Sequence, residues 1–151
     1  MIKGRVLIGL LTFLLIGMIS CNFAPGSYPY AEDYRLKIKE SDLINIIQEF
    51  KKDNPEYCVP NEVQLKDGRR GVDDYWYHFY FYYKSDNKIL NTWVRQFDNG
   101  NTTFAFVAVN KGLNLGNWER INKDFSSKEN KLEKAKFEQQ ILIRIKAMIK
   151  Y

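Results

Sequence analysis

Two runs of apolar and β-branched residues, Ile89 to Phe97 and Thr102 to Val109, flank Asn99-Gly100. Both central residues of a two-residue hairpin need positive φ, and Asn-Gly supplies this at the least steric cost. The pair therefore commits the middle of the chain to an antiparallel hairpin. Tyr75 to Tyr83 is almost wholly aromatic and ends at Ser85-Asp86-Asn87, which predicts a third strand feeding the same sheet.

Helical periodicity flanks this block. Leu43, Ile44, Ile46, Ile47 and Phe50 share one face. Ser41 is placed to cap that helix, Lys51 and Lys52 suit its last turn, and Asn54-Pro55 stops it. Near the C-terminus, Ser126 and Glu129 form a capping box, and Ile141, Leu142, Ile145, Met148 and Ile149 share a face. The charged stretch Lys131 to Lys136 is expected to sit in water. A weak strand is expected at Val63 to Leu65, and a loop from Asn110 to Asp124. The predicted fold is α+β: an antiparallel meander of three strong strands and one weak, with an N-terminal and a C-terminal helix packed on one face.

Ahead of this body stand Lys3 and Arg5, an apolar run from Val6 to Ile19, then Ser20 and Cys21. The run is too short to span a bilayer comfortably and has the layout of a secretory signal peptide. Met18-Ile19-Ser20-Cys21 resembles the lipobox of bacterial lipoprotein precursors, with Met18 where Leu is commoner. The resemblance covers residues 1–21 only. It implies removal of residues 1–20 and acylation of Cys21, with palmitate a natural label. It also implies a bacterial cell-envelope location, and Asn22 in place of Asp leans toward the outer membrane. Several acyl chains on one residue make detachment slow. The expected organisation is a signal peptide at 1–20, a lipidated tether at 21–34 carrying Pro25, Gly26 and Pro29, and one domain at 35–151.

Losing residues 1–20 lowers the formal net charge from +5 to +3. So mild and spread a charge is no nucleic-acid footprint. With Cys21 acylated, Cys58 has no partner within the chain. It is open to pairing between chains, to reaction as a thiol, or to burial as a small hydrophobe beside Tyr57 and Val59, with burial expected.

Turn lengths predict neighbours. Two-residue turns at Asn99-Gly100 and Asp86-Asn87 put Phe79, Phe81, Leu90, Val94, Ala105, Val107 and Val109, with Thr92, on one face. The other face then carries Trp76, His78, Tyr80, Tyr82, Asn91, Trp93, Arg95, Phe104 and Phe106. Rings with polar ends are unusual on a solvated face. Either the tether or the Asn110 to Phe125 loop lies over them, or they form a binding platform for a protein or a glycan. The candidate binding residues are Trp76, His78, Tyr80, Trp93, Arg95, Phe104 and Phe106, with Arg95 and His78 as hydrogen-bonding or anion-gripping groups.

Catalytic signatures are sparse. The chain has one histidine and no His/Cys/Asp cluster at metal-ligand spacing. Gly68-Arg69-Arg70-Gly71 reads as a solvated turn, with phosphate binding as the sharper alternative. Asp73-Asp74 are adjacent acids that more often hold a turn than perform acid–base work. The expectation is a non-enzymatic, cofactor-free envelope lipoprotein, held to the membrane through Cys21, that binds a protein or glycan partner. The alternatives are an immunity or inhibitor lipoprotein acting against a toxin or lytic enzyme, and a hydrolase using Asp73, Asp74 or Glu119.

Overall fold

The structure is a computed structural model of the chain, and it describes residues 27–149. The signal peptide and Cys21 lie outside the described residues.

The architecture is α+β. Five antiparallel strands form one sheet: β1 (Glu32–Leu36), β2 (Tyr77–Tyr83), β3 (Lys88–Asp98), β4 (Asn101–Lys111) and β5 (Trp118–Arg120). Their order is β1-β4-β3-β2, and β5 continues along β4 beyond β1. Helix α1 (Glu40–Asp53) follows β1. A C-terminal helical run comprises α2 (Ser127–Phe137), a π-turn (Glu138–Leu142) and α3 (Ile143–Met148).

Several expectations are corrected. β1 begins within the stretch read as tether and runs past its expected end at residue 34: Tyr34 and Leu36 turn inward to the core cluster, while Glu32 to Leu36 pair with Phe106 to Thr102. Val63 to Leu65 is not a strand; Asn61–Val63 is a 3-10 turn. The Asn110 to Asp124 loop contains β5. Ser41 does not cap α1, whose N-cap is Lys39, and its hydroxyl instead donates to Asp42 Oδ1 at 3.2 Å. Cys58 is exposed, not buried.

The hairpin at Asn99-Gly100 forms, with Asp98 opposite Asn101, but only Gly100 takes the positive φ expected of both residues, at 109°. Two bulges then interrupt the ladder. Register shifts fall between Gln96 and Asp98, where Phe97 is the extra residue, and between Asn91 and Thr92, where Val107 is extra on β4. Each inserted residue reverses the side-chain alternation. Between the bulges, Thr102, Phe104 and Phe106 therefore face the helices, and Thr103 and Ala105 face away. The β2–β3 turn is also longer than two residues: Tyr83 opposes Lys88 across Lys84–Asn87. Its length shifts the pairing by two residues and so preserves the faces of β2.

The core lies between the sheet and the helices. Leu43, Ile47 and Phe50 of α1 meet Phe79, Phe81, Leu90, Val94, Phe104, Phe106 and Val109 of the sheet. Phe137, Ile141, Leu142 and Ile145 join the same cluster. Residues spaced by four precess around an α-helix by about 40° per step. The π-turn adds a residue and keeps Phe137 and Ile145 on one face. The charged half of this run docks rather than sitting wholly in water. Glu133 is buried and pairs with Lys88, Lys134 meets Glu32 at 3.0 Å, and Lys136 meets Asp86 at 2.5 Å. The capping box at Ser126 and Glu129 is present.

Candidate functional site

The sheet face opposite the helices divides into a covered half and an open end. Two cross-strand rows organise it. Asp33 of β1 pairs with Ala105 of β4, Ala105 with Trp93 of β3, and Trp93 with His78 of β2. In the next row Arg35 pairs with Thr103, and Thr103 with Arg95. Residues directly opposite in a ladder share a face, so all these side chains rise from one surface.

The covered half holds most of the expected platform. His78 is 1% exposed, Tyr80 5% and Trp93 7%. Tyr28 packs its ring 5.3 Å from Trp76, 6.0 Å from Trp93 and 6.2 Å from His78. Trp118 lies 6.4 Å from Tyr80, whose hydroxyl accepts from Arg70 Nη2 at 2.7 Å. The cover thus comes from the N-terminal segment through Tyr28 and from β5 through Trp118. Phe104 and Phe106, expected on this face, are in the core: Phe106 stacks on Phe137 at 4.6 Å. The bulges are the physical reason. A large–small–large alternation at Phe104-Ala105-Phe106 was the sequence signal for it, since small residues leave room under Trp93 and large ones fill a core.

His78 has a pKa lowered first by burial, then by the charge of Arg70, with Asp74 opposing. Burial and Arg70 together favour its neutral imidazole. Nε2 lies 3.4 Å from Asp74 Oδ2, and Nδ1 meets no hydrogen-bond partner among the described residues. Burial raises the Asp74 pKa, but the amides of Arg70 (2.9 Å) and Trp76 (3.0 Å) donate to its carboxylate and prevail, leaving it below the usual range. Asp74 therefore holds the loop closed as an ionised acceptor, while Asp73 is exposed and Glu119 pairs with Lys111 at 2.7 Å. The two arginines between the glycines are committed to the fold: Arg69 reaches Glu40 Oε1 at 2.6 Å, and Arg70 reaches Tyr80.

The open end is different. Neither Arg35 nor Arg95 makes an ion pair or side-chain hydrogen bond among the described residues. Arg35 places its guanidinium 3.8 Å from the centre of the Phe97 ring. Arg95 lies 5.3 Å from Trp76 and 5.5 Å from Tyr75. Phe97 and Tyr75 are exposed, at 52% and 67%. Asp33 is exposed and makes no ion pair or side-chain hydrogen bond among the described residues, and desolvation raises its carboxyl pKa against the opposing charge of Arg35. A cavity of about 340 Å³ is lined by Asp33, Trp93, Arg95, Gln96, Phe97 and Thr103. A neighbouring one of about 400 Å³ shares Arg95 and Gln96 and continues past Tyr75 to Arg69.

Of the expected site residues, the structure brings Trp76, Trp93 and Arg95 to this end. His78 and Tyr80 are buried behind it. Asp33, Arg35, Phe97 and Thr103 were not anticipated. The first two required β1 to be recognised: Glu32, Tyr34 and Leu36 alternate with Asp33 and Arg35, a period-2 pattern only five residues long. Phe97 follows from the parity of Trp93 and Arg95, whereas Thr103 required the bulge.

The surface can grip an anion with two planar guanidiniums and offer rings to an apolar face. Among the described residues no group of three or more His, Cys, Asp and Glu side chains could hold a metal ion, and no helix is long and apolar enough to cross a membrane. Comparison with protein-family models, with curated proteins and with solved structures finds no match.

Proposed function

We propose that this chain is a lipid-anchored protein of the bacterial envelope whose domain binds a partner, without catalysis, at the open end of its sheet. The observation that carries the reading is the pair Arg35 and Arg95. Both rise from one row of the sheet, lack a carboxylate among the described residues and rest on aromatic rings. Arg, Tyr, Trp and Phe are the residue types that concentrate binding energy at interfaces. An unpaired guanidinium on a ring selects an anionic partner. The lipobox at Cys21 supports the anchor, since it closes a short apolar run behind a basic start.

Site-specific photo-crosslinking in the intact, anchored chain tests the surface. A photoreactive residue at Tyr75 or Phe97 is expected to give discrete adducts that Arg95→Glu abolishes. The same group at exposed Lys128 is expected to give none of them. Identical adducts at all three positions, or none at Tyr75 and Phe97, overturn the surface. Labelled palmitate tests the anchor: the label is expected on the native chain and absent from Cys21→Ser. A product that retains Met1 overturns it.

A further inference from the structure

Resting on that binding reading, the geometry points to a ligand class: we propose that the cavity at Asp33, Trp93, Arg95 and Thr103 is a subsite for one unit of an acidic saccharide, a sugar ring that carries a carboxylate.

The spacing of the sheet sets the size of the site. Asp33 and Trp93 are two strands apart, with Ala105 between them. Arg35 and Arg95 are likewise two strands apart, with Thr103 between them. Adjacent strands lie about 4.8 Å apart, and alternate residues of a strand about 6.8 Å, so the four corners enclose roughly 10 by 7 Å of backbone. The floor is the short side chain of Thr103. The hollow above it measures about 340 Å³, which falls at the small-ligand end of known pockets.

Each wall asks for a different contact. Trp93 Nε1 is a donor without an acceptor among the described residues, on a side chain that is 7% exposed and lines the cavity. That nitrogen is itself shut off from solvent, so an occupant of the hollow meets the indole ring rather than Nε1. Asp33 is an acceptor without a donor, and Thr103 Oγ1 makes no side-chain hydrogen bond among the described residues. Arg95 brings a cation that makes no ion pair among the described residues, and Arg35, whose charge also acts on Asp33, adds a second beside the cavity. One occupant must therefore present acceptors, donors and an anion within a single small ring's width.

Adjacent sugar hydroxyls each donate and accept, and the C–H face of the ring packs on the aromatic walls of Trp93 and Phe97. The sugar carboxylate then meets Arg95 in the bidentate geometry guanidinium favours. An acidic peptide strand satisfies the cations less economically. Its amide donors and acceptors alternate along an extended chain rather than converge on one box.

The test uses the three indole N–H signals of the full chain, labelled with ¹⁵N-tryptophan in detergent micelles and assigned with Trp76→Phe and Trp118→Phe. The probes are a trisaccharide of galacturonic acid, the matching neutral galactose trisaccharide and hexaglutamate. The acidic sugar is expected to move the Trp93 signal saturably while the Trp118 signal stays. Its affinity should exceed that of the neutral sugar by about tenfold or more. Asp33→Asn and Arg95→Gln should each weaken it by a similar factor while leaving circular dichroism and the ligand-free Trp118 signal unchanged. Absence of a saturable Trp93 shift overturns the subsite. So does an equal response to hexaglutamate, which leaves the broader binding reading standing. Photo-crosslinking at Tyr75 and Phe97 decides that reading independently, so the two failures are distinguishable.

Discussion

The two faces of the sheet handle aromatic side chains in opposite ways. Toward the helices, Phe79, Phe81, Phe104 and Phe106 are wholly buried, and Thr92, the polar residue of that floor, donates Oγ1–H to Phe79 O at 2.8 Å. On the far face His78 and Trp93 are almost as buried, yet each has a ring nitrogen without a partner among the described residues. A few ångströms further along, Arg35 and Arg95 stand over rings in the open. Buried rings with satisfied neighbours specify a fold. Orphaned polar atoms occur on both faces, Tyr83 Oη toward the helices and Trp93 Nε1 away from them, so what sets the far face apart is its pair of exposed guanidiniums on a surface that a short N-terminal segment only half covers.

The comparison breaks most readily at the core. Phe106 is fully buried against Phe137, and Phe106→Ala should lower the unfolding free energy by about 3–5 kcal/mol. Urea denaturation reads the loss directly. A loss below about 1 kcal/mol would mean that the bulges do not turn Phe106 inward, and the two faces as described would be wrong.

The same bulges mark where the sequence stopped being legible. Asn99-Gly100 predicts the hairpin because a two-residue turn with positive φ is a local requirement, met by local chemistry. The alternation of β4 is decided elsewhere. Phe97 and Val107 each become the extra residue because Phe104 and Phe106 find Phe137 and Phe81 on the helix side, contacts that span up to 33 positions in sequence. The capping box at Ser126 and the apolar face from Ile141 to Ile149 were readable for the same local reason as the hairpin. β1 was not readable: Pro25, Gly26 and Pro29 mark the stretch before it as linker, and its five residues hold only through pairing with β4. The candidate site was therefore half visible. Trp76, Trp93 and Arg95 follow from strand parity, whereas Asp33, Arg35 and Thr103 follow from the distant edge strand and the bulge.

A second break falls on the covered half. Tyr28 is the clamp there, with three aromatic neighbours. Ring pairs of this kind add about 0.5–1.5 kcal/mol each beyond area burial, and they overlap here. Tyr28→Ala should therefore destabilise the domain by about 1–2 kcal/mol, less than the core substitution. It should also raise acrylamide quenching of tryptophan fluorescence, because Trp76 and Trp93 lose their lid. Unchanged quenching would show that other residues cover this face.

A third concerns pH and sharpens the contrast between neutral and charged groups. Burial and Arg70 depress the His78 pKa in the folded state. The unfolded chain takes up the proton near pH 6.5 and the folded one only at lower pH. Above pH 6.5 the histidine's contribution is intact. As pH falls from there through the folded value, the unfolded state binds more protons and stability is lost. Thermal melts between pH 7.5 and 5 should show this loss in the native chain and a smaller one in His78→Gln. Equal slopes would mean that the imidazole is not held neutral.

The smallest expected effect on stability is the most telling. Arg95 is exposed and, among the described residues, has neither an ion pair nor a side-chain hydrogen bond, and its contacts are the faces of Tyr75 and Trp76. An exposed cation–π contact is worth about 0.5–1 kcal/mol, and both rings are shared with other neighbours. Arg95→Ala should therefore shift the urea midpoint by no more than about 0.5 kcal/mol equivalent. Phe106→Ala and Arg95→Ala then form a pair: one removes stability, while the other keeps stability and removes partner adducts at Tyr75. If Arg95→Ala instead destabilises the domain as strongly as Tyr28→Ala, the guanidinium is a structural strut for the loop carrying Asp74 to Trp76. The open end would then be a second packed surface, no different in kind from the helix side.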